Sequence, residues 1–453
     1  MFKIQNHNFK MKYINKYTNI SLLGAAGKMG SGIMALLAFE VGKLKLGAKR
    51  EESFVINAID VSPEALEGLL KYLKSQLIKS GEKNIVELRE WYKDATELVE
   101  NEDVINAYAN DVMAMIKTST RIETAYDSQL VFEAIKEDKG LKVKLFSQIK
   151  QNNPDTWFLS NTSSIPLGEI DKEAGLNGDI IGFHFYNPPV IQKLLEIIPV
   201  ENINPDIIEF SEALAKSMRK IIVYSRDVAG FIGNGHFMRD ALFALDQAKG
   251  MGNETPLADA IYRVDTVSRD LLLRPMGIFQ LMDYVGIDVM CFILKSMQAA
   301  FPQEKLSHEI LNQYMDLGVT GGQFSDGSQK DGFFQYEKGR IVAVYDIEAK
   351  AYKAIADVKT ANADYFEPKP SQELNWKTVI REKERGDILT AFFNELKTLN
   401  SPAAQLAVSY GKQSKAIGQL LVDGGVAADT NAVNKVMETG FYHAYGPVNT
   451  FFE

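Results

Sequence analysis

The chain reads as a doubly wound α/β sheet over residues 18–225, followed by one or more all-α domains. Three observations carry that reading. Short apolar runs alternate with helical stretches through the first half, which is the pattern of a parallel sheet covered by helices on both faces. A Gly-rich turn, "GAAGKMG", directly follows the first apolar run "ISLLG". After "KIIVYS" at 220–225 the strands largely stop, and apolar residues recur at helical spacing from 230 to 315.

Residues 1–17 form a basic lead-in without acids, and "ISLLG" is the first strand. A helix near 28–45 leads to "FVINAID", and a second runs from Pro63 to about Lys79. A charged helical insertion at 82–117, expected to be exposed, delays the next strand. The runs "LVFEAI", "WFLSN", "DIIGFH", "LLEII" and "KIIVYS" complete the sheet. A helical domain is expected at 226–340 and a linker at 341–380, where Pro368 and Pro370 fall. Residues 381–453 read as a second helical copy. "VDTVSRDLLLRPMGIF" and "VNKVMETGFYHAYGPV" each place a Val-Asp/Asn pair twelve residues before a glycine, Gly277 and Gly446.

Composition narrows the function classes. The 453 residues suffice for several domains, and 46% apolar content is that of an ordinary globular protein. A net charge of −9 argues against nonspecific nucleic-acid binding. The single cysteine, Cys291, excludes an intramolecular disulfide and a cysteine zinc site, and fits a reducing cytoplasm. No apolar stretch reaches the roughly 18 residues of a membrane span.

Several residues fall where such a sheet binds ligands, at the carboxyl ends of its strands. Gly24, Gly27 and Gly30 let the backbone turn tightly and approach a pyrophosphate, with Lys28 and Met29 opening the helix whose N-terminus favours anions. This is a Rossmann-type signature. Asp60, at the end of the next strand, is placed to accept from ribose hydroxyls, which favours NAD over NADP. The spacing is GxxGxxG, one residue longer than GxGxxG, and Asp60 lies 30 residues past Gly30. Glu133 ends "LVFE" and reads equally as a cleft residue or a solvated strand end. Asn161, Thr162, Ser163 and Ser164 follow "WFLS" and read as a helix cap or as substrate contacts. His184 ends "DIIGFH", and Glu196 interrupts the apolar run "LLEII". A carboxylate there needs a partner, and if the two strands are neighbours Glu196 can orient His184 as a general base. Asn234, in "GFIGN", reads as a helix-terminus amide or as a cleft residue.

Taken in order, the Gly-rich turn, "VFEAIKED", "SNTSS", "HFYNPP" with "LLEII", "AGFIGN", "PMGIFQLMDYVGID" and "GSQKDGFFQY" resemble the L-3-hydroxyacyl-CoA dehydrogenase family over roughly residues 18–338. The resemblance implies NAD-dependent, reversible oxidation of a (3S)-3-hydroxyacyl-CoA, as in β-oxidation. His184 would be the base and Glu196 its orienting partner. It further implies that Ser163 and Asn234 hold the reacting C3 oxygen, that Glu133 and Lys142 lie near the nicotinamide, and that Asn187 lines the same cleft. Asn161, in the same strand-end cluster, joins the expected cofactor contacts. The family usually has Arg after the "GFIxN" asparagine, and Gly235 stands there. The second helical copy lacks a "GFIxN" counterpart and is expected to be structural, packing in the place of a dimer partner to give a pseudo-dimeric monomer. Two alternatives remain: a dehydrogenase of a hydroxy acid or sugar acid free of CoA, and a catalytically silent NAD-binding scaffold.

Overall fold

The computed structural model describes residues 12–453 apart from residues 50, 253, 325 and 326. The backbone divides into two compact units between Asp227 and Val228. Most of the basic lead-in, residues 1–11, lies outside the described residues. Its end is packed structure: a short helix, Ile14–Thr18, buries Tyr17, and both Tyr13 and Tyr17 set their rings against Phe210.

The first unit is built on eight strands: β1 Asn19–Leu23, β2 Val55–Ile59, β3 Ile116–Ser119, β4 Leu130–Glu133, β5 Trp157–Ser160, β6 Ile180–Phe185, β7 Leu194–Pro199 and β8 Ile221–Tyr224. They lie in the order β3-β2-β1-β4-β5-β6-β7-β8. The first six pair in parallel in the 3-2-1-4-5-6 order of a dinucleotide-binding sheet, with the strand order reversing between β1 and β4. Simple alternation predicts a parallel sheet throughout, and the last two strands depart from it. β7 runs antiparallel to β6, and β8 runs parallel to β7. Only residues 186–193 join β6 to β7, too few for the dozen or more that a parallel crossover needs.

The helix Pro63–Lys83 shows how sequence makes these elements. Ser62 caps it by accepting from the Ala65 N–H, and Leu66, Leu69, Leu73 and Leu77 form one buried stripe. The 82–117 insertion holds helices Ile85–Trp91 and Asn101–Met113 and then β3. It is less exposed than its charge suggests. Val104, Tyr108 and Val112 are buried, and Val112 and Tyr108 pack at Gly42, where a Cβ would lie 2.9 Å from Val112 Cγ2.

The second unit opens with helices Gly233–Met251, Leu257–Thr266, Ile278–Val285, Ile287–Ala300 and Glu309–Asp316. Three antiparallel strands follow, β9 Phe334–Glu337, β10 Arg340–Asp346 and β11 Ala351–Ala354, with β10 in the middle. Sequence reading places a linker from 341, where β10, β11 and the helix Ile355–Ala361 stand. The clue is the apolar run in "RIVAVYD": Ala343, Val344 and Tyr345 are buried, and Tyr345 O accepts from Tyr314 Oη. Helices Arg385–Leu396 and Pro402–Asp423 share a single hydrophobic core with the earlier helices of this unit, and the helix Thr430–Gly440 buries Val433, Val436 and Met437.

The suspected repeat has a common geometry. A Cβ on Gly277 would lie 2.1 Å from Asp265 Oδ2, and one on Gly446 would lie 2.2 Å from Asn434 Cγ. In both places the polar side chain tucks under a glycine and binds the backbone beyond it. Asp265 Oδ1 accepts from the Gln280 N–H, while Asn434 exchanges two hydrogen bonds with Val448.

Candidate active site

The carboxyl ends of β1, β2, β4, β5 and β6 carry most of the predicted residues of the first unit, with Lys142 on the helix Lys139–Asn152 and Glu196 within β7. At β1 the turn is tightly determined. Gly24 has φ +76°, and a Cβ there would stand 2.6 Å from Ala134 O. At Gly30 a Cβ would stand 2.0 Å from Gly24 O, so only glycine fits. Gly27 is looser, with a Cβ meeting Gly24 O at 3.3 Å, and it is the residue preceding the helix Lys28–Gly42. Lys28 and Met29 are therefore the first two helical residues, where backbone N–H groups face outward. The extra residue of GxxGxxG is held by Asp60, whose Oδ2 accepts from the Ala26 N–H at 2.9 Å. Such a turn, with the acid beside it, fits a dinucleotide pyrophosphate.

The ends of β4 and β5 are joined by buried ions. Lys142 Nζ lies 2.5 Å from Glu133 Oε1 and 3.2 Å from Glu137 Oε2. Burial opposes its charge, but Glu133 and Glu137 outweigh that and hold the ammonium above the usual lysine range. Glu133 also accepts from Ser160 Oγ and from the Ile135 N–H. Glu137 was not foreseen, although its acid stands in plain view in "FEAIKED". Its Oε1 accepts from Thr162 Oγ1, the Ser163 and Ser164 N–H groups and Ser164 Oγ. Burial pushes this carboxyl up, but Lys142 and those donors bring it below its ordinary value. One carboxylate thus fixes the whole "NTSS" loop that presents Ser163.

His184 and Glu196 face each other directly across β6 and β7. His184 Nδ1 lies 3.3 Å from Glu196 Oε1, with the Glu196 side chain fully buried and the His184 side chain 9% exposed. A carboxylate can only accept, so the proton of this contact belongs on Nδ1 and Nε2 is left as the basic nitrogen. Asn161, from the end of β5, accepts from the Phe185 N–H at 2.8 Å and fastens the backbone next to His184. Asn187 follows three residues after His184, and Asn234 is the second residue of the helix Gly233–Met251 in the other unit. Among the described residues no cluster of His, Cys, Asp and Glu suits a metal ion.

Residues 19–228 match the NAD-binding domain of 3-hydroxyacyl-CoA dehydrogenases, and residues 258–331 match their C-terminal domain. The chain belongs to the 3-hydroxyacyl-CoA dehydrogenase family. It is an NAD-dependent oxidoreductase. A probable 3-hydroxybutyryl-CoA dehydrogenase of Bacillus subtilis is 29% identical over 322 residues, which is 70% of this chain and 97% of that one. A probable 3-hydroxyacyl-CoA dehydrogenase of Caenorhabditis elegans is 28% identical over 324 residues, again 70% of this chain and 94% of the relative. The crystal structure of 3-hydroxybutyryl-CoA dehydrogenase from Escherichia coli shares the fold across 95% of this chain and 90% of its own, with a TM-score of 0.62 at 19% identity. The helices of the last hundred residues thus extend the family domains within a known architecture. Among the described residues no helix is long and apolar enough to cross a membrane.

Proposed function

We propose that this dehydrogenase interconverts a (3S)-3-hydroxyacyl-CoA and the 3-oxoacyl-CoA, with His184 as general base and Glu196 as its orienting partner. The observation that carries the reading is the cross-strand pairing of these two residues, which leaves His184 Nε2 as the basic nitrogen. The substrate 3-hydroxyl proton moves to Nε2, and Glu196 stabilises the imidazolium that results. NAD, when bound, supplies the hydride acceptor. Gly24, Gly27, Lys28, Met29, Gly30 and Asp60 are assigned to its adenosine and pyrophosphate half. Ser163 and Asn234 are assigned to the C3 oxygen, where donors stabilise charge in the reductive direction. Asn187 is assigned to the substrate side of the same site.

Glu133, Lys142 and Asn161 receive a more indirect role than contact with the nicotinamide. Lys142 binds Glu133 and Glu137, and Asn161 Oδ1 accepts from the Phe185 backbone, which supports a framework that sets the serine loop and the His184 strand. The repeat geometry at Gly277 and Gly446 supports the second helical copy as a built-in partner, so one chain is the expected solution species. Light scattering at the mass of two chains would refute that part.

The substrate class is tested by following NADH absorbance with acetoacetyl-CoA and, separately, with free acetoacetate. Oxidation with the thioester alone is expected. Equal rates with the free acid would move the assignment to a hydroxy acid without CoA, and no turnover of either despite NADH binding would favour the silent scaffold.

A further inference from the structure

Glu196 Oε1 serves a second donor. Tyr186 Oη lies 2.6 Å from the same oxygen that faces His184 Nδ1 at 3.3 Å. Tyr186 follows His184 by two residues, just past the end of β6, and its ring centroid stands 5.1 Å from the imidazole at a tilt of 44°. Burial and then the Glu196 charge hold this phenol well above the ordinary tyrosine range, so at working pH it is a neutral donor. An O–H donor at 2.6 Å from a carboxylate is the short, charge-assisted kind, stronger than the long imidazole contact.

We propose that Tyr186 is a positioning residue for the dehydrogenase reaction, fixing the Glu196 carboxylate and limiting how strongly that carboxylate supports a proton on His184. The inference rests on the reading of His184 as the base. Two donors share one oxygen, so charge committed to the phenol is withheld from the imidazole. Several charged groups near the pair are engaged elsewhere. Glu133 and Glu137 hold Lys142, Asp227 accepts from the Leu167 and Gly168 N–H groups, and Lys220 donates to the Pro189 and Gln192 carbonyls. The hydroxyl of Tyr186 thus moderates the dyad through the oxygen it shares with His184.

Tyr186→Phe keeps the ring and removes the donor. In the oxidative direction with 3-hydroxybutyryl-CoA, the acid limb of the kcat/KM profile should move to higher pH by about one unit, because Glu196 then supports the imidazolium alone. The KM for the thioester should stay within twofold of wild type, by about the precision of such a comparison. Tyr186→Leu, which also loses the ring, should show the same displaced limb. An NMR titration of the His184 imidazole, assigned with His184→Gln, reads the same quantity without turnover. If wild type and Tyr186→Phe titrate alike by NMR, the inference fails whatever the activity. If the NMR midpoint moves upward while wild type turns over no thioester, the inference stands and the substrate assignment falls.

Discussion

Each unit buries a polar cluster, and the two are built for different ends. In the first unit the clusters gather at the edge of the sheet where β4, β5 and β6 end: Glu133, Lys142 and Glu137 under the serine loop, and His184, Glu196 and Tyr186 across β6 and β7. In the second unit Asp240, Arg274, His236, Tyr410 and Ser414 are sealed between the helices Gly233–Met251 and Pro402–Asp423. Arg274 Nη1 lies 2.6 Å from Asp240 Oδ2, which also accepts from Tyr410 Oη at 3.1 Å. His236 Nε2 meets Ser414 O at 3.2 Å, and burial drives this histidine down to about 4. Burial of charge therefore does not mark a site by itself. Position does: strand ends give access to a ligand, whereas facing helices give a partner.

That contrast can be broken at four points, from the largest expected effect to the smallest. Glu196→Gln should lower kcat by about 10³-fold, since it removes the support for an imidazolium, with a much smaller change in unfolding midpoint. Steady-state kinetics beside thermal denaturation reads both. Arg274→Met should do the reverse, losing about 3–5 kcal/mol in urea unfolding because Asp240 is left buried without its counter-ion. Activity per folded molecule should persist, and Asp240→Leu added to it should recover much of the loss.

Asp265 offers a third point. Burial raises its carboxyl to about 6, so the folded state holds the proton more tightly than the unfolded chain. Its ionisation then costs nothing near pH 4 and increasingly more as pH rises through 6, reaching roughly 3 kcal/mol. Asn434 holds the corresponding position beneath Gly446. Asp265→Asn should stabilise the protein by up to that amount at pH 8 and by little at pH 4, as urea unfolding at the two pH values would show. The smallest effect concerns the glycine turn. Gly27→Ala should change the NADH dissociation constant less than about tenfold, because its Cβ meets Gly24 O at 3.3 Å. Fluorescence titration of NADH checks it, and a complete loss of binding would mean the turn is as tight at Gly27 as at Gly30.

The strands of the first unit were legible because each is a short apolar run bounded by turn residues, and the pairing of Glu196 with His184 followed from a carboxylate embedded in such a run. The direction of β7 was not, since pairing direction depends on the length of a connection whose strand ends had to be known first. Glu137 escaped notice because nothing local distinguishes it from the solvated acids around it; its role appears only when β5 brings the serine loop beside it. The role of Tyr186 is equally non-local, since its contact with Glu196 exists only once β7 lies beside β6. The small sheet at 334–354 was obscured by a Gly-rich stretch and two prolines that bracket it, which read more readily as loop. The two spacings of twelve residues were visible in the sequence, and the structure adds that neither Gly277 nor Gly446 has room for a Cβ.

The most direct test of the account is NADH oxidation by acetoacetyl-CoA with wild type and His184→Ala, each first shown to bind NADH. The account predicts turnover by wild type and a loss of at least about 10²-fold in kcat for the variant, with NADH affinity retained. Turnover by His184→Ala within a few-fold of wild type would contradict it, and the base would have to be sought elsewhere.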